Sequence, residues 1–157
     1  AVNGPAAGVG MSLALTGDIV MASETAYFLQ AFAKIGLVPD GGATWYLPRL
    51  IGWGRAMELS MLAERLPASE ALSWGLVNRV VPEAELEAAS MAMAQRLASG
   101  PKSLGLIRKA YWASWENDFN KQMQLEADLQ TEAHASADNR EGVAAFLEKR
   151  PAVFTGQ

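Results

Sequence analysis

The apolar positions of this chain change rhythm near residue 82. Before it they come in short compact runs punctuated by glycine and proline; after it they recur at intervals of three and four residues. Asn3 to Gly10 reads as a glycine-rich loop containing Pro5. Met11-Ser12-Leu13-Ala14-Leu15 suits a short buried helix that ends near Gly17. Ile19 to Ala22 is an apolar run of strand length, and Thr25 to Gln30 is β-branched and aromatic, so both predict strands. Pro39-Asp40-Gly41-Gly42 is a turn. A helix follows it, carrying Trp45, Leu47 and Leu50, with Pro48 limiting its regularity. Arg55 to Ala63 predicts a further helix. Pro67-Ala68-Ser69-Glu70 opens another, which Gly75 closes. Val77 to Val81 returns to strand character.

From Pro82 onward the pattern is that of amphipathic helices. Leu86, Ala89, Met93 and Leu97 keep helical spacing. Ser99-Gly100-Pro101 interrupts it, and the next helix carries Leu104, Ile107 and Tyr111. Phe119 to Ala133 and Asp138 to Arg150 predict two more. Strand, glycine loop, helix and strand in succession indicate an α/β architecture. The expected division is 1–81 for the α/β part and 82–157 for a helical region. The apolar faces of that region suit contacts between copies, or packing on the chain's own core.

Composition narrows the function classes. The chain has 157 residues, 50% of them apolar and 19% charged, which is ordinary globular composition. A net charge of −4 offers no basic surface for nucleic acid. Without cysteine there is neither disulfide nor thiolate chemistry, and a single histidine argues against a histidine-rich metal site. Apolar runs all stop short of the ~18 residues a membrane helix needs, and no signal peptide is visible. A cytoplasmic protein with no membrane partner is expected. Ala1 is not methionine, and Ala1-Val2-Asn3-Gly4 reads like a strand running into a turn, so further residues are expected to precede it.

Three places could carry chemistry. Gly8-Val9-Gly10 lies at the start of a helix, where unpaired N–H groups and the dipole favour an anion or a developing oxyanion. It lacks the Lys-Ser/Thr of a phosphate-binding P-loop and the third glycine of a dinucleotide fingerprint, and a plain strand-to-helix turn fits it equally. Asp40, in its rigid turn, is either a general base or the cap of the following helix. Ser12 with His134 would make a nucleophile and base, but no nucleophile-elbow pattern surrounds Ser12, and a solvated histidine explains His134. Met57, Met61, Met91 and Met93 read as core or interface filler, and Trp45, Trp53, Trp74, Trp112 and Trp115 as core.

These residues resemble a family. Ala1-Val2-Asn3-Gly4, Gly8-Val9-Gly10-Met11-Ser12-Leu13-Ala14, Asp18-Ile19 and Ala22-Ser23 look like the crotonase (enoyl-CoA hydratase/isomerase) motif. So do Phe28, Ile35-Gly36-Leu37-Val38-Pro39-Asp40-Gly41-Gly42, Leu47-Pro48-Arg49, Gly52, Ala71, Trp74-Gly75-Leu76-Val77 and Val80-Val81. Glu141-Gly142, Phe146, Glu148-Lys149-Arg150-Pro151 and Phe154 are similar to its C-terminal signature. The resemblance runs the length of the chain. It implies the C-terminal part of a spiral of ββα turns, followed by a helical trimerisation region, in trimers or hexamers. It implies an acyl-CoA thioester as substrate, with coenzyme A as part of that substrate and no separate cofactor or metal. It implies an oxyanion hole in which the Val9 N–H is one donor and a segment before Ala1 supplies the other. Gly8, Gly10, Ser12, Phe32, Pro39 and Gly41 would line the acyl site, and Lys149 would meet a coenzyme A phosphate.

The resemblance also bears on the reaction. Hydratases of the family carry two glutamates that hold and activate water; at those positions this chain has Ser12 and Phe32. The position of Asp40 is similar to that of the acidic residue in several family isomerases and in the dehalogenase branch. Leu37 to Gly42 looks closest to the ring-epoxide isomerases of phenylacetate breakdown. With that added, the expected activity is enoyl-CoA isomerisation by one carboxylate, Asp40. Hydration and a non-catalytic acyl-CoA-binding role are the alternatives.

Overall fold

The computed structural model describes residues 1–157. They form two compact units, Ala1–Ala92 and Met93–Gln157. The N-terminal unit runs β1 (Pro5–Ala7), α1 (Val9–Ala14), β2 (Met21–Ser23), β3 (Tyr27–Leu29), a 3-10 turn (Ala31–Ile35), α2 (Ala43–Ile51), α3 (Trp53–Leu62), β4 (Leu66–Pro67), α4 (Ala68–Trp74), β5 (Arg79–Val81) and a second 3-10 turn (Glu83–Glu85). Helix α5 (Leu86–Ala98) spans the division, and α6 (Ser103–Ser114), α7 (Phe119–Ala135) and α8 (Ala137–Glu148) complete the chain.

Two small sheets organise the first unit. In one, β3 lies between β1, which is parallel to it, and β4, which is antiparallel. In the other, β2 and β5 are parallel. Asn78 extends this pair: its side chain accepts the Val20 N–H at 2.6 Å and its own N–H reaches the Val20 carbonyl at 2.8 Å. Parallel neighbours need a crossover, and α1 lies on the one between β1 and β3. Phe28 alternates with the half-exposed Tyr27 and Leu29, so it alone of the three enters the core. There it joins the cluster of Met11, Leu15, Leu47, Ile51, Leu59 and Leu66. Burying a side chain of that size contributes about 1.5–3 kcal/mol.

The helices fall close to their predicted places. The strands differ more. Part of the expected Asn3–Gly10 loop is β1, and Pro5 fits there because it opens an edge strand, where a missing N–H leaves no gap in the ladder. The strand expected at Ile19–Ala22 is Met21–Ser23. Ser23 belongs to it because its N–H bonds the Val2 carbonyl at 2.8 Å, while Ile19 is exposed. The strand expected from Thr25 begins at Tyr27, since Ser23 Oγ accepts the Thr25 N–H and holds a turn there. Val77 to Val81 narrows to β5. Neither the 3-10 turn at Ala31–Ile35 nor the two-residue β4 was foreseen; both are too short to leave a period in the sequence.

In the C-terminal unit, side chains cap the last two helices. Asp118 accepts the Lys121 N–H at the start of α7, and Ser136 accepts the Asn139 N–H at the start of α8. Asp138 is buried on α8 and accepts the backbone N–H groups of Thr155 (2.8 Å), Lys102 (2.8 Å) and Gly156 (2.9 Å). Thr155 is the largest of the influences that hold its carboxyl below the usual range, while burial opposes them. Arg150 grips Glu141 with two bonds, of 2.6 and 2.9 Å, and Glu141 also takes the Val153 N–H at 2.9 Å. Arg150 in turn is held protonated by Glu141 and Glu148.

The Arg150 hydrogen bond, with the Val153 N–H, lowers the Glu141 carboxyl from the ordinary 4.5 to about 2. A lowered folded-state pKa means that the charged form is favoured by folding. The stability Glu141 contributes is therefore complete above about pH 4.5 and is lost as pH falls toward 2. The difference in thermal midpoint between wild type and Glu141→Gln should be constant near neutrality and shrink across that window. A difference that does not change down to pH 2 would count against the clasp.

Candidate functional site

The site grows from the junction of β1 and α1. Gly8 sits there with φ 55° and ψ −125°, a conformation that L side chains rarely adopt. Its N–H reaches the Leu29 carbonyl at 2.8 Å and carries the pairing with β3 one residue further. Its carbonyl accepts the N–H groups of Met11 and Ser12, at 3.0 and 3.2 Å, and so points along the helix. The Val9 N–H shares that trans peptide plane and therefore points the other way, out of the N-terminal end of α1. As the first helical residue, Val9 has no carbonyl one turn back to bond. Its side chain is half-exposed. Gly10 follows, and no side chain or segment beyond its own neighbours and helix backbone lies within 4 Å of where its Cβ would be.

Ser12, one turn into α1, is completely buried. Its hydroxyl donates to the backbone carbonyl of Asp40 at 2.8 Å. That carbonyl also accepts the Ala43 N–H at 3.1 Å. Gly41 comes next with φ 58°, and a Cβ on it would lie 2.9 Å from Ser12 Cβ and 3.4 Å from Val9 Cγ2. The turn is thus pressed onto α1 as closely as backbone can come. The cap of α2 is Gly42, which makes no side-chain cap bond. Asp40 is accordingly not the cap, and its exposed carboxylate accepts no hydrogen bond.

Phe32 is buried in the 3-10 turn, and the place of a Gly8 Cβ lies 3.8 Å from its ring. The structure therefore gathers Gly8, Val9, Ser12, Phe32, Asp40 and Gly41, with Pro39 half-buried beside them in the chain. Exposed Leu13, Ile35, Leu37 and Val38 lie on the same segments. Lys149 belongs to the C-terminal unit, where it is the left-handed residue after α8 with an exposed side chain. Ser12 and His134 form no catalytic pair: the Ser12 hydroxyl is donated to Asp40, and His134 is engaged by Asn139. No group of three or more His, Cys, Asp or Glu side chains comes together as a metal site. No helix is long and apolar enough to cross a membrane.

Gln30, Asp138 and Glu141, the last already part of the C-terminal signature, take up settings that the sequence did not show. Gln30 is fully buried, and neither atom of its carboxamide has a partner. It follows Leu29 on β3, where the parallel register sets it beside Gly8. A polar residue two places after the core-facing Phe28 was the available signal. Asp138 and Glu141 carry no such signal, because their donors are backbone groups and an arginine far along the chain. Within the C-terminal unit, Pro101, Ser136, Asp138, Gly142, Phe146 and Phe154 help line an open groove of about 350 Å³.

A family model described as enoyl-CoA hydratase/isomerase matches residues 1–157. A Rhodobacter capsulatus protein named "Probable enoyl-CoA hydratase" is 49% identical over all of this chain and 62% of its own length. The 1,2-epoxyphenylacetyl-CoA isomerase of Escherichia coli K12 is 48% identical over all of this chain and 60% of its own. A crystal structure of an enoyl-CoA hydratase/isomerase from Cupriavidus metallidurans CH34 superposes with a TM-score of 0.91 at 40% identity, over 98% of this chain and 58% of that one. The chain spans about three fifths of the length of these relatives.

Two glycines distinguish close approach from mere flexibility. Gly41→Ala combines a positive φ with a contact at 2.9 Å and should destabilise the protein by more than about 1 kcal/mol. Gly54→Ala, in the first turn of α3 with no side chain or other segment within 4 Å, should be neutral or stabilise it by up to about 1 kcal/mol. Urea unfolding of both variants tests this, and a neutral Gly41→Ala would remove the tight approach.

Proposed function

Because the chain belongs to the enoyl-CoA hydratase/isomerase family, we propose that it forms part of an acyl-CoA-binding enzyme that shifts the double bond of an enoyl-CoA, with Asp40 as its one proton-transfer group. The observation that carries this reading is the free carboxylate of Asp40 on a turn clamped against the start of α1. Around it, Ser12 spends its hydroxyl on a backbone carbonyl and Phe32 is apolar. Neither can take a proton from water at neutral pH, which adding water to a double bond requires.

The mechanism needs few parts. The thioester oxygen of a 3-enoyl-CoA accepts the Val9 N–H, which lowers the cost of placing negative charge there. Asp40 takes a proton from C2, and the electron pair delocalises through the alkene and the thioester as a dienolate. The same carboxylate gives the proton back at C4, which leaves the conjugated 2-enoyl-CoA. Gly8, Gly10, Pro39 and Gly41 shape the backbone around the acyl group. Phe32 excludes water, and Lys149, of the same or a neighbouring copy, serves a coenzyme A phosphate. Coenzyme A enters only as part of the substrate. The working form is a trimer or hexamer.

A second reading, hydration, is favoured by the similarity to the Rhodobacter protein. The similarity to the Escherichia coli isomerase favours rearrangement of a ring epoxide at the same carboxylate. Product analysis with a 3-enoyl-CoA, a 2-enoyl-CoA and a ring-epoxide thioester separates the three. Asp40→Asn in the full chain should lower isomerisation by roughly 10²–10⁴-fold while acyl-CoA affinity changes little. Turnover that survives this substitution would exclude Asp40 as the proton carrier.

A further inference from the structure

We infer that Ser12 is a positioning residue that fixes where the Asp40 carboxylate can reach. The inference rests on the reading of Asp40 as the proton carrier. Its physical basis is independent of the reaction. A serine inside a helix ordinarily bonds back to the carbonyl four residues earlier. Here that carbonyl, Gly8 O, is 3.5 Å away, whereas Asp40 O is at 2.8 Å and 28 residues distant in sequence. The hydroxyl is therefore aimed by the contact with the turn, not by its own helix. Being completely buried, it has no water to bond instead.

What Ser12 holds is the backbone of Asp40. The carboxylate itself accepts no hydrogen bond, so its position depends on its Cα and two side-chain torsions. The Cα is set by the carbonyl that Ser12 and Ala43 share, and by Gly41 lying against Ser12 Cβ and Val9 Cγ2. The other end of Ser12 is part of α1, whose first N–H is that of Val9. One buried hydroxyl thus sets the separation between the carboxylate and the amide end of α1. A carboxylate that serves both C2 and C4 is sensitive to this separation, since a misplacement of ~1 Å can cost about a hundredfold in rate.

The test is made in the full chain with Ser12→Ala and Ser12→Cys. Cysteine fills the same space with a much weaker donor, so it separates the hydrogen bond from packing. Each variant should lose about tenfold or more in kcat with KM within about twofold. The decisive readout is isomerisation in D2O. With Asp40 misplaced, the dienolate outlives direct C2-to-C4 transfer, and the C4 position of the product gains more solvent deuterium than with wild type. That ratio does not depend on how much enzyme is folded, so a simple stability defect leaves it unchanged. Wild-type kcat and deuterium content in Ser12→Cys, with Asp40→Asn inactive, would overturn the positioning role and leave the proton carrier in place. A fully active Asp40→Asn would overturn both.

Discussion

The hydrogen bond from the Ser12 hydroxyl to the Asp40 carbonyl joins the first helix to the turn that begins the second. Each neighbouring feature is a condition for that bond. Gly41 has to lack a side chain, because a Cβ would meet Ser12 Cβ at 2.9 Å. Gly8 has to adopt a positive φ, so that the chain leaves β1 and enters α1 within one residue. Gly42, also at positive φ, starts α2 without a side-chain cap. α2 must then rely on tertiary packing for its start, which Ala43, Leu47 and Ile51 supply from its buried face. The same close approach leaves the Asp40 carboxylate outside the hydrogen-bonded network, where a substrate could meet it.

The helices were legible because apolar residues recur along them every three or four positions, even where few of those residues are buried: α6 buries none fully and α5 only Leu86. α5 to α8 and the stops at Gly75 and Ser99-Gly100-Pro101 could be read directly from that spacing. The strands were harder. Each has three residues or fewer, and in β2 all of them are buried, so no alternation exists to find. Pro5-Ala6-Ala7 has neither β-branched nor aromatic character and is a strand only because β3 lies beside it. For Asp40, residue order allowed both a cap and a base. The choice turned on which residue starts α2, and a shift of two positions along a glycine-rich turn decided it. The partner of Ser12 lies 28 residues on, beyond any local pattern.

Much of the C-terminal resemblance has an architectural explanation. Glu141 and Arg150 form a two-bond clasp that also fixes the Val153 amide. Gly142 lies beside the Phe154 ring, where a Cβ would make an ordinary contact at 3.5 Å. Asp138 gathers the tail amides of Thr155 and Gly156. These residues fold the tail back over α8, and none of them needs a ligand to account for its place. Phe146 and Lys149 are the exceptions in the segment: Phe146 is exposed, and Lys149 ends α8 in a left-handed conformation with its side chain making no ion pair.

Overall likeness does not select a reaction, since a protein named as a hydratase and one named as an isomerase are 49% and 48% identical to this chain. On the proposed reading, the discrimination comes from which carboxylates would surround a bound thioester. Hydration moves a proton from water and places one on carbon, with the water held between, and a single free carboxylate is poorly suited to both tasks. A double-bond shift moves one proton between two carbons of the same molecule. It needs a stabilised dienolate and one carboxylate able to reach both ends of it, without bound water. On that reading, the helix N-terminus, the unpartnered Asp40 and the non-acidic Ser12 and Phe32 would meet that smaller requirement. A second acid is superfluous in such a site, provided the turn that carries the first is held still.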